Sequence, residues 1–145
     1  AKSLNTKLIL PTEVRVSSGI TQELNSRIVK LNYISGDDVI LDFGPETMRI
    51  IGKEINAVNK ILWNGPLGVF EKDAFSYGTR SLAELIKDAP GYTIAGGGDT
   101  IAAINKFIDV DMLDYVSTGG GAFMEFFEKN GNIPAIEALD PEFYA

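Results

Sequence analysis

Two glycine triplets constrain this chain more than any other feature. Each stands where an apolar run gives way to a helical pattern. The first is Thr93-Ile94-Ala95-Gly96-Gly97-Gly98-Asp99-Thr100, leading into Ile101-Ala102-Ala103-Ile104. The second is Tyr115-Val116-Ser117-Thr118-Gly119-Gly120-Gly121-Ala122, leading into Phe123-Met124-Glu125. A strand that ends in glycines and opens a helix gathers free backbone N–H groups at one point. The helix dipole adds positive potential there, and missing Cβ atoms let an anion come close. The alternative is tight packing, with Asp99 as a helix cap. Two such turns, one followed by a carboxylate and a hydroxyl, point to a polyphosphate held with a divalent metal.

Five short apolar runs read as strands: Lys7–Leu10, Val39–Phe43, Lys60–Trp63, Tyr92–Ala95 and Tyr115–Ser117. Most do not alternate in polarity, which suits a parallel sheet buried on both faces. Helical patterns lie between them. Pro45–Val58 has Met48, Ile51 and Ile55 on one face and a proline suited to the first turn. Phe75–Lys87 carries Leu82, Leu85 and Ile86. Ile101–Phe107 and Ala122–Glu128 follow the triplets, and Thr21–Leu31 also reads as helical. The expected fold is α/β: one domain, a three-layer Rossmann-like parallel sheet with helices on both faces. The tail from Asn130 to Ala145 is expected to pack along a surface.

Ligands of such sheets sit at the C-terminal ends of the strands. Every glycine turn is expected there: Asp42-Phe43-Gly44-Pro45, Asn64-Gly65-Pro66-Leu67-Gly68, Gly96–Gly98 and Gly119–Gly121.

Composition removes several classes of chemistry. With 145 residues, no Cys and no His, the chain has no disulfide framework, no thiolate zinc site and no histidine base. A net charge of −7 without a dense basic stretch argues against nucleic acid or an anionic membrane surface as partner. No G-x-x-x-x-G-K-[ST] loop and no G-x-G-x-x-G fingerprint is present.

The candidate site follows from these turns. Gly96, Gly97 and Gly98 offer amides to phosphate oxygens, Asp99 is the candidate Mg²⁺ ligand, and Thr100 supplies a hydroxyl. In Ile61–Glu71, Asn64 can bond a ligand, Pro66 and Val69 can flank a flat base, and Glu71 can accept from ribose hydroxyls. Trp63 and Phe70 read as core, and Glu71 taken by itself reads first as a solvated charge. Asp42 reads as structural, or as a partner behind the metal site. Glu13, Asp37, Asp38, Asp109, Asp111 and Asp114 read as solvated faces and caps.

The motifs Asp42-Phe43-Gly44-Pro45, Trp63-Asn64-Gly65-Pro66-Leu67-Gly68-Val69-Phe70-Glu71, Gly96-Gly97-Gly98-Asp99-Thr100 and Ser117-Thr118-Gly119-Gly120-Gly121-Ala122 together resemble those of phosphoglycerate kinase, in order and spacing. The resemblance runs from about Lys7 to about Leu139. It implies a cytoplasmic glycolytic phosphotransferase that passes a phosphoryl group between 1,3-bisphosphoglycerate and ADP, giving 3-phosphoglycerate and MgATP. It implies a two-lobed monomer, with phosphoglycerate on the N-terminal lobe and nucleotide on the C-terminal lobe.

By that resemblance Glu71 is the ribose-binding glutamate, and Pro66 and Val69 form part of the base and sugar wall. Asn64 is a phosphate-side contact, and Asp99 is the Mg²⁺ ligand with Gly98 and Thr100 at the phosphates. Gly119, Gly120 and Gly121 meet the transferred phosphoryl group. Against the family pattern, Glu13 in Leu10-Pro11-Thr12-Glu13 stands where Asp is common, and Phe126–Gly131 departs from Leu-Glu-Gly-Lys. The resemblance covers only about the last third of a family member. The N-terminal lobe, its arginines and the Gly-Ala-Lys segment of the nucleotide lobe are therefore expected outside this chain. A chain without them is expected to be inactive alone. The alternative reading is a stand-alone nucleotide- or phosphate-binding module without catalysis.

Overall fold

The computed structural model describes residues 2–137. In order the elements are β1 (Glu13–Ser17), β2 (Arg27–Lys30), β3 (Val39–Phe43), α1 (Pro45–Ile55), β4 (Lys60–Trp63), α2 (Tyr77–Lys87), β5 (Tyr92–Gly96), α3 (Gly98–Phe107), β6 (Tyr115–Ser117), α4 (Gly120–Glu128) and α5 (Pro134–Glu137).

The parallel sheet holds three strands, in the order β4-β5-β6. Its two faces are covered differently. Thr93 and Ala95 of β5 are buried, and Ala95 joins Trp63 in a core with Met48 and Ile55 of α1, Leu82 and Ile86 of α2, and Ala103 and Ile104 of α3. Adjacent residues of a strand point to opposite faces, so Tyr92, Ile94 and Gly96 face the other way. There α4 packs, with Phe123 against Gly96. The result is three layers, with helices on both faces.

Helix α1 starts as its sequence demands. Gly44 takes the N-cap position with Pro45 in the first turn, where a missing N–H costs nothing. The Glu13 carboxylate accepts from the Glu46 amide at 2.7 Å, a favourable place for negative charge. Thr47 Oγ1 accepts from the amides of Thr12 and Glu13 and donates to the Glu13 carbonyl. The expectation that Glu13 acts at a cap is thus met. The helix ends where Asn56 Nδ2 donates to the Gly52 carbonyl.

The first third of the chain differs from the expected single parallel sheet. Lys7–Leu10 forms no strand, and Leu8 and Leu10 are 68% and 63% exposed. Thr21–Leu31 is not an α-helix: it holds the 3-10 turn Glu23–Asn25 and strand β2, and ends on the first residue of a second 3-10 turn, Leu31–Tyr33. β3 is a strand as expected, but it pairs antiparallel with β1 in a second sheet, β2-β1-β3. The reason is visible in Glu13-Val14-Arg15-Val16, which alternates and buries only its valines. Alternation marks an antiparallel sheet with one wet face, whereas a search for continuous apolar runs selects Lys7–Leu10 instead. Of the tail, 130–137 turns into the short α5, and 138–145 lies outside the described residues. Among the described residues, no helix is long and apolar enough to cross a membrane.

Candidate nucleotide site at the ends of the parallel strands

The register of the sheet brings three loops to one edge. Trp63 pairs with Ala95, and Gly96 pairs with Ser117. The segments that follow β4, β5 and β6 therefore leave the sheet side by side. They are the strap 64–73, the first glycine triplet and the second. The fourth glycine turn, Asp42–Pro45, leaves the antiparallel sheet instead. It touches the strap through its strand, where Val69 N–H donates to the Leu41 carbonyl at 2.9 Å.

The first triplet divides into one packing glycine and two exposed or half-buried ones. Gly96 is buried in β5, and a Cβ there would lie 2.3 Å from the Phe123 ring. Gly97 is the N-cap of α3 with φ of 101°, a conformation that costs any other residue strain. A Cβ on it would also approach Asn64 Oδ1 to 3.0 Å. Gly98 faces open space. Asp99 is exposed in the first turn of α3 and makes no cap bond. Its carboxylate remains available beside the helix N-terminus, the arrangement in which a single carboxylate and ligand phosphates share Mg²⁺. Among the described residues no group of three or more acidic side chains is placed to hold a metal ion.

Thr100 is 1% exposed. Its hydroxyl accepts from the Gly65 amide at 2.7 Å, tying the start of α3 to the strap. In the second triplet the Gly119 amide donates to Ser117 Oγ at 3.2 Å. Gly120 adopts φ of 48° at the start of α4. Cβ positions on Gly120 and Gly121 meet nothing within 4 Å. Close packing explains Gly96, but it does not explain the open positions at Gly98, Gly120 and Gly121.

The strap is fixed along its length. Trp63 Nε1 donates to the Gly65 carbonyl, and Leu67 N–H donates to Thr79 Oγ1. Lys106 Nζ donates to the carbonyls of Phe70 and Glu71. Trp63 and Phe70 are 3% and 5% exposed and belong to the core, as read. Asn64 and Glu71 are exposed, and Pro66 and Val69 are half-buried. Thr79 and Lys106 have no sequence signal: one sits in the first turn of α2 and the other in the last turn of α3, each an ordinary residue there.

Asp42 is structural. It is 1% exposed and both carboxylate oxygens accept from the Gly78 amide, in the first turn of α2. Oδ1 also accepts from the Phe43 amide. Its hydrogen bonds reach no residue of the glycine triplets. Burial pushes its carboxyl up to about 6, against the pull of those amides.

The family model described as phosphoglycerate kinase matches residues 1–130. The chain belongs to the phosphoglycerate kinase family. It is 46% identical over 139 residues to the phosphoglycerate kinase of Francisella tularensis subsp. holarctica, covering 96% of this chain and 35% of that protein. The structure of phosphoglycerate kinase from Coxiella burnetii matches with a TM-score of 0.87 at 42% identity, covering 94% of this chain and 35% of that one. The enzyme from Pyrococcus horikoshii OT3 matches with a TM-score of 0.73 at 30% identity, covering 89% and 31%. The chain therefore spans about a third of the length of the phosphoglycerate kinases it matches.

Proposed function

We propose that this chain is the C-terminal, nucleotide-binding part of a phosphoglycerate kinase that exchanges a phosphoryl group between 1,3-bisphosphoglycerate and ADP in glycolysis. One observation carries the reading. Three loops meet at the ends of the parallel strands, with open glycines at Gly98, Gly120 and Gly121 beside the exposed carboxylate of Asp99.

In this reading the amides of Gly97 and Gly98 and the start of α3 bind the nucleotide phosphates, as helix N-termini bind anions. Asn64 approaches the same place, since its Oδ1 lies beside Gly97. Asp99 holds Mg²⁺, which when bound neutralises phosphate charge. Pro66 and Val69 flank the base and sugar, and Glu71 accepts from the ribose hydroxyls. Gly119, Gly120 and Gly121 present the start of α4 to the transferred phosphoryl group. Catalysis of phosphoryl transfer is mostly positioning and charge stabilisation. The residues that hold phosphoglycerate belong to the other lobe, so the chain alone binds nucleotide without turning over substrate. The full enzyme acts as a cytoplasmic monomer.

A titration of the chain with MgADP, followed by amide chemical shifts, tests this. Changes centred on Gly96–Thr100 and Pro66–Glu71 are expected. A dispersed spectrum that MgADP leaves unchanged overturns nucleotide binding by this chain. Turnover of 3-phosphoglycerate and ATP by the chain in a coupled assay overturns its dependence on a second lobe.

A further inference from the structure

Glu71 is useful to a ribose only if its backbone is held still. It lies on an irregular strap, and ordering such a segment on binding costs conformational entropy. We propose that Lys106 is a positioning residue that holds the end of this strap, so that Glu71 is already in place when nucleotide arrives. The inference rests on the nucleotide reading above.

The Lys106 ammonium has three N–H donors and three acceptors around it: the Phe70 carbonyl at 2.8 Å, the Glu71 carbonyl at 3.3 Å and Asp73 Oδ1 at 3.1 Å. Its side chain is 32% exposed. The charge also lies 5.4 Å from the centre of the Phe107 ring, whose edge-on partner is Phe70. Phe70 is therefore held through both its carbonyl and its ring. A surface lysine paired only with Asp73 would contribute little; the two strap carbonyls make this one different.

Lys106 does not serve as a phosphate cation. It sits in the last turn of α3, about 9 Å along the axis from Thr100 at the usual helical rise. Thr100, near the start of the same helix, holds the start of the strap through Gly65. A single helix thus fixes both ends of the strap and also presents the phosphate turn. The phosphate and ribose halves of the site keep their separation because α3 is a rigid bar between them.

The test compares two probes, MgADP and magnesium pyrophosphate, by calorimetric titration of the chain. K106M is expected to weaken MgADP about tenfold, the scale of one hydrogen bond to a charged group, and to change pyrophosphate by less than about twofold. K106R keeps a cation that can reach the same carbonyls and is expected to recover most of the MgADP affinity. A role in stability alone predicts otherwise: K106M then lowers both affinities equally, or neither, and K106R is no better. Either result overturns the inference. If the wild-type chain binds MgADP no better than pyrophosphate, the ribose role of Glu71 fails first and the inference falls with it. That failure is distinguishable because it appears without any substitution.

Discussion

The buried Thr100 hydroxyl accepts the Gly65 amide at 2.7 Å, joining two loops that leave different strands. This bond makes the strap and the first glycine triplet one unit. Removing the acceptor leaves a half-buried N–H without that partner. Thr100→Val, close in shape, is expected to lower stability by about 1–3 kcal/mol, and Thr100→Ser to recover most of it. Urea unfolding checks this; a neutral Thr100→Val would mean that the bond contributes nothing.

The glycines of the first triplet differ in what surrounds them, one packed and one open. Gly96→Ala drives a methyl into the Phe123 ring and should cost about 1–3 kcal/mol. Gly98→Ala meets open space and should leave stability within about 0.5 kcal/mol. If phosphate lies against Gly98, the same Gly98→Ala weakens MgADP binding by crowding the anion. Paired thermal melts and titrations decide it, and full affinity in Gly98→Ala would place the phosphate elsewhere.

Asp99 lies exposed in the first turn of α3, directly after the first glycine triplet. Asp99→Asn is expected to weaken MgADP by about tenfold or more while leaving metal-free ADP nearly unchanged or slightly tighter. Equal loss with and without magnesium would refute a metal-ligand role.

Asp42 predicts a pH dependence with a definite sign. Its folded carboxyl titrates near 6, raised from 3.8 by burial. Between those values the native state holds its proton more tightly than the unfolded chain does. The stabilisation is fully present below pH 3.8 and is lost as pH rises through about 6. Asp38 and Asp114 work the other way. Backbone amides of Ser35 and Thr93, with help from side chains, hold their carboxyls below the usual range, so their stabilisation is lost as pH falls. The readout is therefore a difference: relative to Asp42→Asn, the wild type should gain stability as pH drops from 7 to 4. Parallel curves for the two proteins would contradict this.

Much of the parallel half was legible in the chain because its signals are local. Lys60–Trp63 and Tyr115–Ser117 form strands at the predicted bounds, and β5 runs one residue beyond Ala95. Helices α3 and α4 begin inside the glycine triplets, earlier than the apolar patterns suggest, because glycine carries no periodicity to read. The antiparallel sheet was not legible in the same way. Lys7–Leu10 is as apolar as a true strand, but among the described residues it pairs with no other strand. Arg27–Lys30 has little signal of its own and is a strand because β1 pairs with it. The site divides likewise. Gly97, Asp99 and Asn64 stand out as sequence, whereas Lys106 and Thr79 acquire their roles only by lying against the strap.

The sequence by itself determined the alternation of strand and helix from Val39 onward, the glycine turns, and the absence of cysteine and histidine chemistry. Those depend on residue type and short spacing. Tertiary structure decided which strands share a sheet, which glycine is filled by Phe123 and which lie open, and that α3 holds both ends of the strap. Thr100 meets Gly65, and Lys106 meets Phe70, across long stretches of chain. Such contacts exist only once the core of Trp63, Phe70, Ala95 and Ile104 has closed, since burial of that core brings the partners within bonding distance.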